Sequence, residues 1–471
     1  MISVILKIEK QKKELLNQIP FTFSFISFAG SLCFDKSFAP ACLVLSILPL
    51  IWDIFTDRQS LWRYVFCYFL FQNAIQQKVT AIAYTVVTYS DEFAAIIMLA
   101  VILILAIEQK ADLLRFEKYI VVFQLLFVIW GFIGNIVFGY QRLLLGLVDV
   151  LTCSRFLIYY FGARIVYTRY LKKKLLILRA EDGFNQYFGY MAKCVTVTLF
   201  FFLVHDLIFS PFFEKGDYRY FTYSIKLCFG HSTNLAMVCI ICIVILISGF
   251  RYDRHAMRYI VLLSIITLFT FRMKAIVAVV CIFAVYFLVI RRNVKSKTLV
   301  GMAVGGSALA IGFRQFARYY LSTSHTLPIR QKMTQDAVAL ANRHFPFGTG
   351  FGTFGSATAY DFASRIYKKL GYFGRYYINQ PLSDTFWPIV IAQSGWIGLL
   401  LFIPVILLLC NSSIKRLRKD PYSFWASFSV LVYSLICSTS ESAFFHPSIM
   451  PLFIILGIVN AKYYWKNNVI V

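Results

Sequence analysis

The residues best suited to chemistry in this chain gather in its second half. Arg272 lies in Thr270-Phe271-Arg272-Met273-Lys274, between two short apolar stretches, Tyr259–Phe271 and Ala275–Ile290. An arginine there is costly in hydrocarbon unless it is paired, faces a cavity or snorkels to the boundary. Its planar fork also matches pairs of phosphate oxygens. It therefore reads as an interfacial anchor or as an anion ligand. The second reading gains from a polar segment of roughly seventy residues, a length at which loops are usually functional, running from Arg314 to Asp384. That segment carries Arg314, Arg318, Arg330, Lys332, Arg343, Arg365, Lys368, Lys369 and Arg375 against Asp336, Asp361 and Asp384. Three side chains are candidates to take a proton from, or orient, an attacking hydroxyl: Asp384, His344 and Glu441. Glu441 reads equally well as a paired structural acid.

Inside the segment, Pro328–Asn342 reads as a short helix, with Pro328 in its first turn and Ile329, Met333, Ala337 and Leu340 on one face. Gly348-Thr349-Gly350-Phe351-Gly352-Thr353-Phe354-Gly355 follows. Such a run lets a backbone turn tightly and approach a ligand. It is not a phosphate-binding P-loop, since no Gly-Lys-Ser/Thr is present and no strand precedes it. Gly348, Gly350, Gly352, Arg219, Arg314, Arg318, Arg343 and Tyr376 are the expected substrate-binding residues. Tyr360, Tyr367, Tyr372, Tyr376 and Tyr377 suit the apolar faces of sugar rings, or else form an interfacial aromatic belt.

The elements that must hold these residues are membrane helices. The 471 residues are 59% hydrophobic and 15% charged, against about 45–50% and about 25% for ordinary soluble chains. Apolar runs recur at lengths of roughly 15–23 residues, close to what crosses the hydrocarbon core as helix. The net charge of +25 would suggest nucleic acid in a soluble protein. Here most Lys and Arg fall in short loops between apolar runs, and nucleic acid is not an expected partner. The 11 cysteines are scattered through apolar runs, and Cys239-x-x-Cys242 reads as small apolar packing residues. No His, Cys or carboxylate cluster has metal-ligand spacing; neither a metal nor a cofactor is expected.

The fold expected is all-α: one polytopic domain over residues 1–471, with about fourteen crossings set by the positive-inside rule. No cleavable leader is expected, and Lys7–Lys13 reads as a surface helix before the first crossing. The crossings run Ile19–Phe34, Phe38–Phe55, Val65–Gln77, Phe93–Ile107, Tyr119–Tyr140, Leu143–Tyr167, Tyr190–Phe209, Asn234–Phe250, Tyr259–Phe271, Ala275–Ile290, Leu299–Phe313, Thr385–Leu409, Phe424–Cys437 and Ile449–Ala461. Every strongly basic short loop then lands on one side, taken as cytoplasmic with both termini, and residues 314–384 form one large extracytoplasmic loop.

Three pieces together resemble the O-antigen polymerase and ligase superfamily of bacterial envelope polysaccharide synthesis, Wzy-type polymerases above all. They are Thr270-Phe271-Arg272-Met273-Lys274-Ala275, then Phe345-Pro346-Phe347-Gly348-Thr349-Gly350-Phe351-Gly352-Thr353-Phe354-Gly355, then Ser383-Asp384-Thr385-Phe386-Trp387-Pro388. Gly230-His231-Ser232-Thr233-Asn234 and Glu441 to Pro447 fit more loosely. The resemblance covers Tyr218 to Ile458. It implies a C-type glycosyltransferase fold in a bacterial inner membrane. It also implies metal-independent transfer of an undecaprenyl-pyrophosphate-linked glycan onto the terminal sugar of another lipid-linked repeat unit. The implied partners are that donor and acceptor, the bilayer and a chain-length regulator. Arg272, with Arg314, Arg318 and Arg343, would meet the pyrophosphate. Ligases of the superfamily carry a His-Asn-type motif before the span that follows the large loop; Ser383-Asp384-Thr385 stands there instead, which favours the polymerase. The alternatives are an O-antigen ligase acting on lipid A–core, a polysaccharide flippase or transporter, and a structural subunit of an envelope complex.

Overall fold

The computed structural model describes residues 18–33, 39–56, 60–79, 81–108, 112–175, 185–209, 212–219, 222–291, 328–372, 382–383 and 385–469. In chain order the helices are α1 (Ile19–Cys33), α2 (Ala39–Thr56), α3 (Leu61–Gln76), α4 (Ala81–Ile107), α5 (Arg115–Phe138), α6 (Leu143–Leu175), α7 (Tyr190–Ile208), α8 (Ser232–Gly249), α9 (Ala256–Phe269), α10 (Met273–Val285), α11 (Ile329–Arg343), α12 (Ala357–Asp361), α13 (Arg365–Lys369), α14 (Trp387–Ile414), α15 (Pro421–Ser438) and α16 (Met450–Val469). A two-residue hairpin, β1 (Tyr218–Arg219) and β2 (Thr222–Tyr223), pairs Tyr218 with Tyr223 and Arg219 with Thr222.

This is an α-helical membrane protein. Eight of the described helices are long and apolar enough to cross a bilayer, and three shorter apolar helices, Ile19–Cys33, Val44–Phe55 and Ala256–Phe269, accompany them. Large apolar side chains such as Trp52, Ile107, Leu144 and Leu400 are more than half exposed. Soluble proteins avoid such belts, and lipid removes their cost. One expected boundary moves. The stretch before Glu92, read as an outer segment, belongs to one continuous helix, α4, because Ala81 to Ile107 holds no proline or glycine to stop it. The expected crossing Leu299–Phe313 lies outside the described residues, as does the surface helix at Lys7–Lys13.

Contacts divide the chain into two compact units where the sequence shows no boundary: residues 1–91 with 180–272, and residues 92–179 with 273–471. The first unit is built around α8. That helix is apolar on every side and buried almost along its whole length, Cys239 and Cys242 included, as expected for a helix with no polar face. Arg63 and Asp53 form a buried ion pair in this unit, with the guanidinium over the Phe21 ring at 4.6 Å. Lys193 and Asp253 pair at 2.5 Å.

The second unit contains the glycine run. Gly395 sits inside α14 with φ 66° and interrupts the helix. The break frees the carbonyls of Ala392 and Gln393, which accept from Thr349 N at 2.8 Å and Gly350 N at 2.9 Å. Irregular backbone at membrane depth is tolerated where protein satisfies it, and here the glycine run does so. Met333, Ala337, Leu340, Phe354, Tyr367 and Tyr372 form a buried core above it. The described part of the expected loop is thus a packed cap. Ser356 and Ser364 start its short helices by accepting from Ala359 N and Ile366 N.

Candidate functional site

α9, in the first unit, ends at Phe269, and the chain turns at Thr270–Arg272, where the sequence predicts a division. Phe271 takes a left-handed φ of 49°, strained for a residue with a large side chain. The turn is held by Thr270 Oγ1, which donates to the Thr267 carbonyl at 2.6 Å, and by Ile225 N, which donates to the Phe269 carbonyl at 3.1 Å. This geometry turns Arg272 toward the start of α8. Its side chain is largely buried, 9% exposed. Nε donates to Ser232 Oγ at 2.7 Å, and Nη2 reaches His231 Nε2 at 2.8 Å and Asp217 Oδ2 at 3.1 Å.

His231 is the N-cap of α8, and its Nδ1 lies 3.4 Å from Thr233 N. A neutral imidazole accepts at one nitrogen only. Thr233 N and Arg272 Nη2 both approach the ring as donors, so the tautomer decides which nitrogen accepts: Nδ1 from Thr233 N at 3.4 Å, or Nε2 from Arg272 Nη2 at 2.8 Å. Ser232 opens α8, so the guanidinium lies beside the positive end of a helix dipole. Asp217 balances this charge from a half-exposed position. The cluster presents a fixed cation and a carboxylate at one edge of the unit.

A cleft of about 270 Å³ in the same unit is walled by Phe213, Lys215, Tyr223, Ser224, Lys226 and Phe271, among others. Lys226 pairs with Glu214 at 2.9 Å and Lys215 lies over the Tyr223 ring at 5.5 Å. The Lys226 ammonium holds the exposed Glu214 carboxyl below its usual range, by hydrogen bond first and charge second. An aromatic ring, hydroxyls and lysines together suit a sugar bearing an anionic substituent.

The other expected residues distribute differently. Arg219 is in β1, opposite Thr222, and its side chain lies outside the described residues, as do Arg314, Arg318, Tyr376, Tyr377 and Asp384. His344, Arg343, Glu441 and the glycines belong to the second unit, Arg272 to the first. Arg343 is exposed at the end of α11. His344 is buried as the C-cap of α11, with Nδ1 2.9 Å from the Leu340 carbonyl and Nε2 2.9 Å from the Tyr140 hydroxyl. A carbonyl can only accept, so Nδ1–H donates to it and Nε2 accepts from Tyr140. Both nitrogens are occupied, which leaves His344 a structural part in this arrangement. Glu441 is ion-paired with Lys274.

The glycines make a close approach, but to their own chain. A Cβ on Gly348 would stand 2.4 Å from Gly395 N, and one on Gly350 2.6 Å from Asn135 N. The amides a phosphate would need are taken: Gly348 N by the His344 carbonyl, Phe351 N by Asn135 Oδ1, Gly352 N by Asp149 Oδ2 and Gly355 N by the Tyr367 hydroxyl. In this structure Gly348, Gly350 and Gly352 belong to a loop docked against its own chain. Tyr367 and Tyr372, expected as sugar platforms or belt residues, are fully buried, with the Tyr372 hydroxyl donating to Asp336 at 2.6 Å.

Asn135, Asp149 and Gln393, which no sequence motif marks, clamp the loop. The signal was present, since a lone polar side chain in an apolar run is seldom idle. No motif marks Asp217 either, an acid far from Arg272 in sequence. Among the described residues no three His, Cys, Asp or Glu side chains are placed to hold a metal. Compared with models of protein families and with curated proteins, the chain matches none.

Proposed function

We propose that the chain is a membrane glycosyltransferase of the O-antigen polymerase type, joining undecaprenyl-pyrophosphate-linked oligosaccharide units on the outer face of a bacterial plasma membrane. The observation that supports this best is Arg272: a nearly buried guanidinium at a strained break between two apolar helices, fixed by Ser232, His231 and Asp217. A cation held in place before reaction needs no reorganisation when charge develops, which is the most effective form of electrostatic catalysis.

The chemistry follows from the bond that must break. The acceptor hydroxyl oxygen attacks the anomeric carbon of the donor sugar, and the bond from that carbon to the pyrophosphate oxygen breaks. The electron pair leaves with the pyrophosphate, whose growing charge Arg272 meets. The hydroxyl proton goes to a carboxylate. Asp217 is the described carboxylate beside Arg272, and Asp384 is the other candidate. The neighbouring cleft, with Tyr223 and Lys215, would take a sugar of the donor chain.

The experiment is the glycan profile of a strain lacking the gene. Single repeat units in place of long chains support the polymerase. Loss of all surface glycan from lipid A–core assigns the chain to the ligases, and an unchanged profile removes both.

A further inference from the structure

The second unit carries an open groove of about 480 Å³ between α5 and α14, lined by Tyr119, Phe123, Pro404, Leu407, Cys410 and Ile414, with Leu408 and Asn411. Its walls are almost wholly apolar. On α14 it runs from Pro404 to Ile414, about 15 Å of helix at 1.5 Å per residue. A hydrocarbon core is about 30 Å thick, so the groove is one leaflet deep. That depth is too short for a partner helix crossing the bilayer and suits an acyl chain.

Basic residues gather where the groove ends. α5 begins at Arg115 and α14 ends at Ile414, so the groove's two walls lead to the same charged end. Arg115 and Lys118 on α5, and Lys415, Arg418 and Lys419 after α14, are all exposed there. Glu117 on this end is buried and taken by Arg164 at 3.0 Å. Asp112 is exposed nearby, and Asp420 is occupied in accepting from Ser423 N at the start of α15. Arg416 adds to the imbalance. It is fully buried, none of its three guanidinium nitrogens has a hydrogen-bond partner among the described residues, and the rings of Tyr463 and Tyr464 lie at 5.1 and 5.9 Å. An arginine keeps its charge in such a place, so this end of the unit carries a positive field that its carboxylates do not balance.

We infer that the groove binds an anionic phospholipid of the bilayer, with an acyl chain along Leu407 and Phe123 and the phosphate between Lys118, Lys415 and Arg418. Lys and Arg near an anionic headgroup attract it, and basic pockets between membrane helices select such lipids. By the positive-inside rule this is the cytoplasmic leaflet, so the site is separate from any chemistry on the outer face.

The test uses the full-length protein in mild detergent, titrated with phosphatidylglycerol or phosphatidylcholine and read by native mass spectrometry. The wild type should retain phosphatidylglycerol at least about tenfold better. A Lys118→Ala, Lys415→Ala, Arg418→Ala triple variant should bring that ratio close to one while leaving phosphatidylcholine binding unchanged. Leu407→Trp, at a position 60% exposed, should fill the groove and remove retained lipid of both kinds. Equal retention of the two lipids by the wild type would overturn the proposal. So would phosphatidylglycerol binding unaffected by Leu407→Trp, or a dimer that Leu407→Trp disperses, which would assign the groove to a second copy. Should Leu407→Trp reduce the yield of folded protein, the charge variant decides alone.

Discussion

Arg272 Nε donates to the hydroxyl of Ser232, 40 residues earlier, at 2.7 Å. The bond joins a strained helix break to the first turn of the helix at the centre of the unit, and it sets the plane of the guanidinium. Ser232 is thus a positioning residue: it acts on chemistry only through Arg272. Ser232→Ala should lower polymerisation by about 10–100-fold, the loss of one hydrogen bond to a charged group, with expression and melting temperature little changed. Ser232→Thr, which keeps the hydroxyl, should restore most of it. A Ser232→Ala protein of full activity would show that the guanidinium is held by other means.

The glycines separate packing from ligand binding. Gly350 has φ 91° and a Cβ there would stand 2.6 Å from the Asn135 backbone, whereas Gly371 has φ 71° and nothing within 4 Å. Gly350→Ala should therefore prevent accumulation of folded protein. Gly371→Ala should cost only about 1–2 kcal/mol, the strain of an L-residue in the left-handed region. Thermal unfolding in detergent reads both. Folded but inactive Gly350→Ala would restore a ligand-contacting role to the run.

Much of this architecture was legible. The apolar runs marked the helices, and Arg272 marked the break between α9 and α10, because a charge between two short apolar stretches leaves few alternatives. The fate of the glycine run was not legible. Alternating glycines signal close approach to something, and the sequence is silent on whether that is a phosphate or a neighbouring helix. The partner, the carbonyls released at Gly395, appears only once α14 is known to break there. The surroundings of His344 were hidden for a related reason: the sequence offers a histidine near glycines and arginines, and only the structure puts Leu340 and Tyr140 at its two nitrogens. Asp217 was invisible because it lies 55 residues from Arg272 in a segment with no motif of its own.

Orientation is open to a direct measurement. Reporters fused after Lys174 and after Lys419 should read cytoplasmic, and one fused at Gly355 should read external, because basic short loops stay inside. A cytoplasmic reading at Gly355 would place the cap on the wrong side for a lipid-linked donor exposed at the outer face.

The two carboxylates can be told apart by removing the proton acceptor alone. Asp217→Asn keeps an oxygen for Arg272 but takes no proton at neutral pH. If Asp217 is the base, the variant should fold normally and lose about 10²–10⁴-fold of its rate, while Asp384→Asn stays active. The reverse pattern assigns the base to Asp384 and leaves Asp217 as the partner that orients Arg272. Gel profiles of lipid-linked glycan in strains carrying each variant give the answer.

Arg272 itself decides whether this is the catalytic cation. The measurement is chain extension by the purified full-length protein in liposomes, supplied with lipid-linked repeat units extracted from a strain that lacks the gene. The wild type should give a ladder of products and release undecaprenyl pyrophosphate. Arg272→Ala, purified to the same yield and stability, should give no ladder. Arg272→Lys should recover little, since an ammonium cannot fork across two phosphate oxygens. A normal ladder from well-folded Arg272→Ala would contradict the assignment and leave the residue an interfacial anchor.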